Sequence, residues 1–153
     1  MRGELPSSVL LFKVRDRLCA LPIDHVGETM RPLAVESIPA APAFVLGTSM
    51  IRGTPTPVID AGALMGQDGQ PAFTRYITLR TSQAPVALAV EAVLGSRALS
   101  PASFRRLPPL LGEAGGGIVD MLASLDSELL SVLRLARSVT ERALQALQGG
   151  AQK

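Results

Sequence analysis

The chain has 153 residues, 47% hydrophobic and 18% charged, with a formal net charge of +2. That composition supports a packed core and excludes wholesale disorder. Aromatic residues make up only 3%, Trp is absent and no Lys/Arg run is dense. The core is therefore expected to be aliphatic, and nucleic acid is excluded as a partner because both phosphate patches and stacking platforms are lacking.

Cys19 is the only cysteine, so no internal disulfide forms. Its neighbours Leu18, Ala20 and Leu21 mark it as a small core residue. The N-terminus, MRGELPSSVLLF, has neither the long apolar segment nor the cleavage pattern of a secretory signal. No apolar run approaches the roughly 18 residues of a membrane span. A cytoplasmic protein without membrane insertion is expected.

In chain order, residues 9–15 alternate, with Leu10, Phe12 and Val14 on one face of a strand. Asp16 and Arg17 read as a turn, and Leu18 to Ile23 as the returning strand. Val26 to Met30 continues extended until Pro32. IPAAP at 38–42 is a proline-stiffened loop. Residues 48–53 and 56–61 read as two further strands around Arg52 and Gly53. Burying an arginine is costly, so Arg52 before Gly53 is expected at a strand-to-strand turn, where glycine supplies positive φ. There it is either a contact residue, a solvated turn residue or one half of a local ion pair with Asp60. Ala63 to Met65 reads as one helical turn, and 66–71 as a linker.

Tyr76 to Arg80 and Val86 to Val90 read as strands around a turn at 82–85. Ser100 to Gly117 is a proline- and glycine-rich loop, and Ile118 to Leu125 a strand. Periodicity leaves 128–133 open between a short strand and a helical turn. Leu135, Val139, Ala143 and Leu147 recur every four residues before Gly149-Gly150, which predicts an amphipathic C-terminal helix.

The two halves repeat. At a spacing of 67 residues, Leu10 meets Ile77, Phe12 meets Leu79, Leu21 meets Leu88 and Ile23 meets Val90. The later part aligns at 66 or at 74, and 66 is preferred because it pairs Asp60 with Asp126. Neither spacing sets a basic residue opposite Arg52, so the repeated fold does not demand one there. Each half alone would bury only about 60% of its unfolded surface, so two small β-barrels sharing an apolar seam are expected. Their boundaries are about 8–66, with the C-terminal helix, and about 72–134.

Catalytic signals are sparse. His25 is the only histidine and reads as a strand-end residue without zinc partners. No G-x-S-x-G elbow marks a nucleophile. GEAGGG at 112–117 lacks the lysine of a phosphate loop. The pattern suits a binding module, with no cofactor and no metal, in which an exposed arginine can be an interface hot spot.

The stretch IRGTPTPVIDAGALMG at 51–66 resembles the core motif of the CheW-like domain family, N-L-R-G followed by P-V-x-D-L and a later L-G. Ile51, Arg52, Gly53, Pro57, Val58, Asp60 and Leu64 fit it. Phe12, Ala20 to Ile23, Val26 to Glu28, Ile38-Pro39, Pro42 to Gly47, Leu88 to Gly95 and Leu125-Asp126 extend the resemblance over about 8–140. Met50 departs from the usual Asn, and Glu91 from the usual Asp. The resemblance implies a mostly β fold of two SH3-like five-stranded barrel subdomains about a pseudo-twofold. It also implies a non-catalytic adaptor joining a chemoreceptor's cytoplasmic tip to the regulatory domain of a chemotaxis histidine kinase, at receptor arrays on the inner face of the membrane. By the same resemblance Val26 and Glu28 lie on a kinase-facing surface, Arg52 and Gly53 near receptor and kinase contacts, and the strand from Tyr76 near a receptor groove. The alternative is a structural subunit of another signalling complex without receptor contact.

Overall fold

The computed structural model describes residues 8–67, 69–70, 72–80, 85–106, 119–125 and 128–133. The apolar run of the first strand, β1 (Ser8–Val14), explains why one strand serves two cores. Leu10, Phe12 and Val14 point to one core and Val9 and Leu11 to another, so β1 is buried on both faces. It pairs antiparallel with β2 (Arg17–Pro22), which is buried along its centre. A 3-10 turn at Ile23–His25 then sends the chain into β3 (Val26–Met30). β4 (Val45–Ile51), β5 (Thr54–Asp60) and the short helix α1 (Ala61–Leu64) follow. The second half supplies β6 (Arg75–Leu79), β7 (Val86–Val90), β8 (Ala92–Ala98), β9 (Phe104–Arg106), β10 (Val119–Leu125) and β11 (Glu128–Leu133).

These strands form two sheets, ordered β8-β1-β2-β11-β10-β9 and β3-β6-β7-β5-β4. The second order reproduces the first when each strand is exchanged for its repeat equivalent, and β9 is an addition at one edge. The pseudo-twofold holds to the residue. Leu10 pairs with Leu21 and, 67 residues on, Ile77 pairs with Leu88. For the later strands the spacing is 74, not 66. Val58 pairs with Ala87 in parallel, and its equivalent Val132 pairs with Ala20. The hairpins agree, since Ile51 faces Thr54 and Leu125 faces Glu128.

The expected division at about residue 66 is corrected by the strand order. β1 and β2 belong with β8 to β11, whereas β3, β4 and β5 belong with β6 and β7. The two halves exchange partners because each central hairpin, β1–β2 and β6–β7, has two apolar faces to cover. One face meets the other hairpin across the seam, where Leu10, Phe12 and Leu21 join Ile77, Leu79 and Leu88. The other face needs strands from the opposite half. Val9, Leu11 and Ala20 are closed by Phe104, Ala123, Leu130 and Val132. Tyr76, Ala87 and Ala89 are closed by Ile51 and Val58. Each buried Leu, Ile or Phe contributes about 1.5–3 kcal/mol by leaving water.

Residues 128–133 are a strand, which settles that ambiguity. β8 is an edge strand exposed from Leu94 to Ala98 and shows no apolar alternation that would mark it in the sequence. The predicted helix at 135–148 lies outside the described residues, as does most of the glycine-rich loop. Among the described residues no helix is long and apolar enough to cross a membrane.

Candidate functional site: the β4–β5 hairpin tip

β4 alternates by burial. From Gly47 on, Gly47, Ser49 and Ile51 face inward while Thr48 and Met50 face out; before the bulge, Val45 and Leu46 pack against two different cores. The pairing of Ile51 with Thr54 leaves Arg52 and Gly53 as a two-residue loop. Both have positive φ, +51° and +78°. This is the mirror-image turn that matches the right-handed strand twist. Gly53 takes that conformation freely, but Arg52 carries a Cβ in a region L-residues avoid.

The strained arginine reaches Glu28 on β3. Arg52 Nε donates to Glu28 Oε2 and Nη2 to Oε1, both at 2.8 Å, a fork-to-fork pair. The Glu28 backbone N–H in turn donates to Thr78 Oγ1 at 2.9 Å. The hydrogen bond from Arg52, aided by its charge, holds the Glu28 carboxyl below the usual carboxylate range against a smaller opposing effect of desolvation. The same bond raises the guanidinium. The side chains are 75% and 37% exposed, so the pair is presented to solvent rather than buried in the fold.

The structure thus brings Glu28, Arg52 and Gly53 together. Val26 lies two residues from Glu28, but a bulge in β3 between them turns Val26 to the opposite face, where it is half-buried against the seam core. Tyr76 is a correction. It is fully buried, and its hydroxyl donates to the Leu33 carbonyl at 3.1 Å and lies 3.1 Å from Ser49 Oγ. A phenol with satisfied hydrogen bonds is an ordinary core residue, and this one presents no surface to a partner. The small Ala87 and Ala89 opposite make room for it.

Arg52 does not pair with Asp60. That carboxylate belongs to Arg15, at 2.9 Å, and caps α1 by accepting from the Gly62 N–H at 3.0 Å. Met50, the departure from the motif's usual Asn, joins the site by its position. It is 61% exposed beside Arg52 and faces exposed Pro55 across the hairpin. The alternation of β4 is the signal that would have placed it outside. Among the described residues no group of three or more His, Cys, Asp or Glu side chains could hold a metal ion.

The CheW-like domain family matches residues 8–143. The chain is 26% identical over 140 residues to Protein FrzA of Myxococcus xanthus, covering 87% of each. Its fold is similar to that of the scaffolding protein TtCheW from Thermoanaerobacter tengcongensis. The TM-score is 0.77 at 24% identity, over 86% of this chain and 91% of the other.

Proposed function

This chain belongs to the CheW-like domain family, and from that premise we propose that it is an adaptor that binds both a chemoreceptor cytoplasmic tip and the regulatory domain of a chemotaxis histidine kinase. Proteins of this family are scaffolds rather than enzymes. The adaptor's work is coupling two binding equilibria through one body, so that occupancy of one face biases the other by a free-energy linkage. Through its partners it sits at receptor arrays on the inner membrane face.

One observation carries this reading to the hairpin tip. Glu28 and Arg52 form an exposed, well-aligned ion pair, and their repeat equivalents are Gly95 and Asp126. The duplicated fold therefore does not require the pair. A strained, solvent-facing arginine that the scaffold can do without fits a contact made to something else. Gly53 adjoins Arg52 in the turn, and Val26, earlier on β3, is included in the proposed surface.

Pull-down with a kinase regulatory domain and with a receptor tip, comparing wild type and Arg52→Ala, tests the proposal. Wild type is expected to capture both, and the variant to lose at least one by about tenfold or more, the scale of an arginine hot spot. Capture of neither partner by wild type leaves the structural-subunit reading. Equal capture by both proteins removes Arg52 from the interface.

A further inference from the structure

The β1–β2 hairpin turns at Arg15 and Asp16, one residue earlier than the sequence suggested, with φ of +47° and +71°. Glycine is the residue a left-handed position favours, so an arginine at position 15 carries a steric cost. Its guanidinium leaves one sheet and enters the other. Arg15 Nη2 donates to Asp60 Oδ2 at 2.9 Å and to the Gly69 carbonyl at 3.3 Å, and Nη1 donates to the Gln67 carbonyl at 2.9 Å. Asp60 ends β5, and Gln67 and Gly69 lie in the stretch that carries the chain from α1 toward β6. One side chain therefore ties the β1–β2 turn of one sheet to the end of β5 and to the connection that follows it in the other. The two charged side chains are only 14% and 9% exposed. Gly62 makes room for the guanidinium, since a Cβ there would stand 2.7–2.9 Å from its atoms.

The pseudo-twofold shows that this grip is not a property of the repeat. The positions equivalent to Arg15 and Asp60 are Ser82 and Arg134, residue types that cannot form a guanidinium–carboxylate pair.

We propose that Arg15 is a one-sided clamp, a positioning residue that locks the end of β5 and the β5–β6 connection after it against the β1–β2 turn of the other sheet, and so fixes how the two sheets are held together. The clamp is independent of partner binding. It makes an unusual demand. Arg15→Gly relieves the turn's steric cost, so a merely local role predicts a more stable protein, whereas a clamp predicts a looser one.

Amide hydrogen exchange on the intact chain decides between them. The Gly62 N–H is bonded to Asp60 Oδ1, Met65 N–H to the Ala61 carbonyl and Gln67 N–H to the Gly62 carbonyl. In Arg15→Gly these three amides are expected to exchange about tenfold faster or more, the effect of losing a charged hydrogen bond, while Ile77 and Leu88 are unchanged and the melting temperature falls. An unchanged exchange pattern with an equal or higher melting temperature overturns the proposal. Asp60→Asn keeps the capping acceptor and removes only the charge. It is expected to loosen the same three amides, and Arg15→Gly added to it should loosen them little further. If Arg15→Gly does not fold, Asp60→Asn carries the test alone, and wild-type exchange at those amides in that variant overturns the clamp.

Discussion

Glu28 and Arg52 stand at opposite ends of their sheet's hydrogen-bonding order, yet their side chains meet at 2.8 Å in two parallel bonds. β3 and β4 are the two edges of that sheet. Contact between an edge and the tip beside the other edge means that the sheet curls until its margins approach. Glu36 reinforces this by exchanging backbone hydrogen bonds with Thr48 at 2.9 and 2.8 Å. The pair is exposed, so it contributes little to stability. Its significance is geometric, holding a cation at a defined place on the surface.

The titration of Glu28 reports that geometry. Arg52 lowers the carboxyl below its ordinary range in the folded protein. The pair is therefore intact at neutral pH and is lost only as pH falls through that lowered value, beneath the ordinary carboxylate range. Side-chain carbonyl shifts of Glu28, followed by NMR from pH 7 downward, are expected to move later than those of free glutamate. In Arg52→Gly the titration should return to the ordinary range. That variant also relieves the positive φ, so the hairpin is expected to be at least as stable while partner capture is lost.

Tyr76 joins three elements, and its hydroxyl can be removed without changing its volume. Tyr76→Phe removes the donor to the Leu33 carbonyl, a part-buried bond, next to Ser49, whose hydroxyl donates to the Ala34 carbonyl at 2.9 Å. Loss of an ordinary hydrogen bond costs about 0.5–1.5 kcal/mol. Urea unfolding should show that loss as a lower midpoint at constant slope. Partner capture should be unaffected, because the residue is fully buried. Weakened capture at wild-type stability would restore Tyr76 to the binding surface.

Much of this was legible because alternation and repetition are local signals. The β1–β2 and β6–β7 hairpins and their spacing of 67 could be read from apolar order alone. The exchange of strands between halves could not. Alternation says that a strand has a covered face but not whose residues cover it. The later spacing was misjudged because matching Asp60 to Asp126 weighed chemistry above register, although Asp60 is tied to Arg15 and has no reason to recur. Arg52 and Glu28 were each singled out, but their contact links strands far apart in sequence. Tyr76 was misplaced because a polar tip looks like a surface signal until its partners are known.

The loop at 38–42 holds a further strained position. The Ala41 N–H donates to the Ile38 carbonyl at 3.3 Å, closing a turn with Pro39 at its second place and Ala40 at its third. Ala40 has φ of +62°. A turn of this type calls for glycine at that place. Ala40 is exposed, so its methyl packs against little. Ala40→Gly is expected to stabilise the protein by about 0.5–1 kcal/mol, as the relief of the left-handed Cβ outweighs the added freedom of the unfolded chain. Thermal unfolding checks the sign, and a lower melting temperature would refute this account of the turn.

Cys19 makes the stability of the seam sensitive to alkali. The side chain is fully buried among Leu10, Phe12 and Leu21, and burial pushes the thiol from an ordinary 9.0 up to about 12, against a smaller lowering by Arg17. Between those values the unfolded chain has lost the thiol proton and the folded chain has kept it. The unfolded state then binds fewer protons, so stability falls as pH rises, by about 1.4 kcal/mol per pH unit from this group. Other groups titrate in the same range, and the difference between wild type and Cys19→Ala isolates the thiol. That difference should be constant below about pH 8 and shift progressively in favour of the variant above pH 9. Native protein at pH 8 should also resist a thiol reagent such as dithiobis(nitrobenzoate), reacting only as fast as it unfolds. Rapid labelling of the folded chain would show that the seam opens around Cys19.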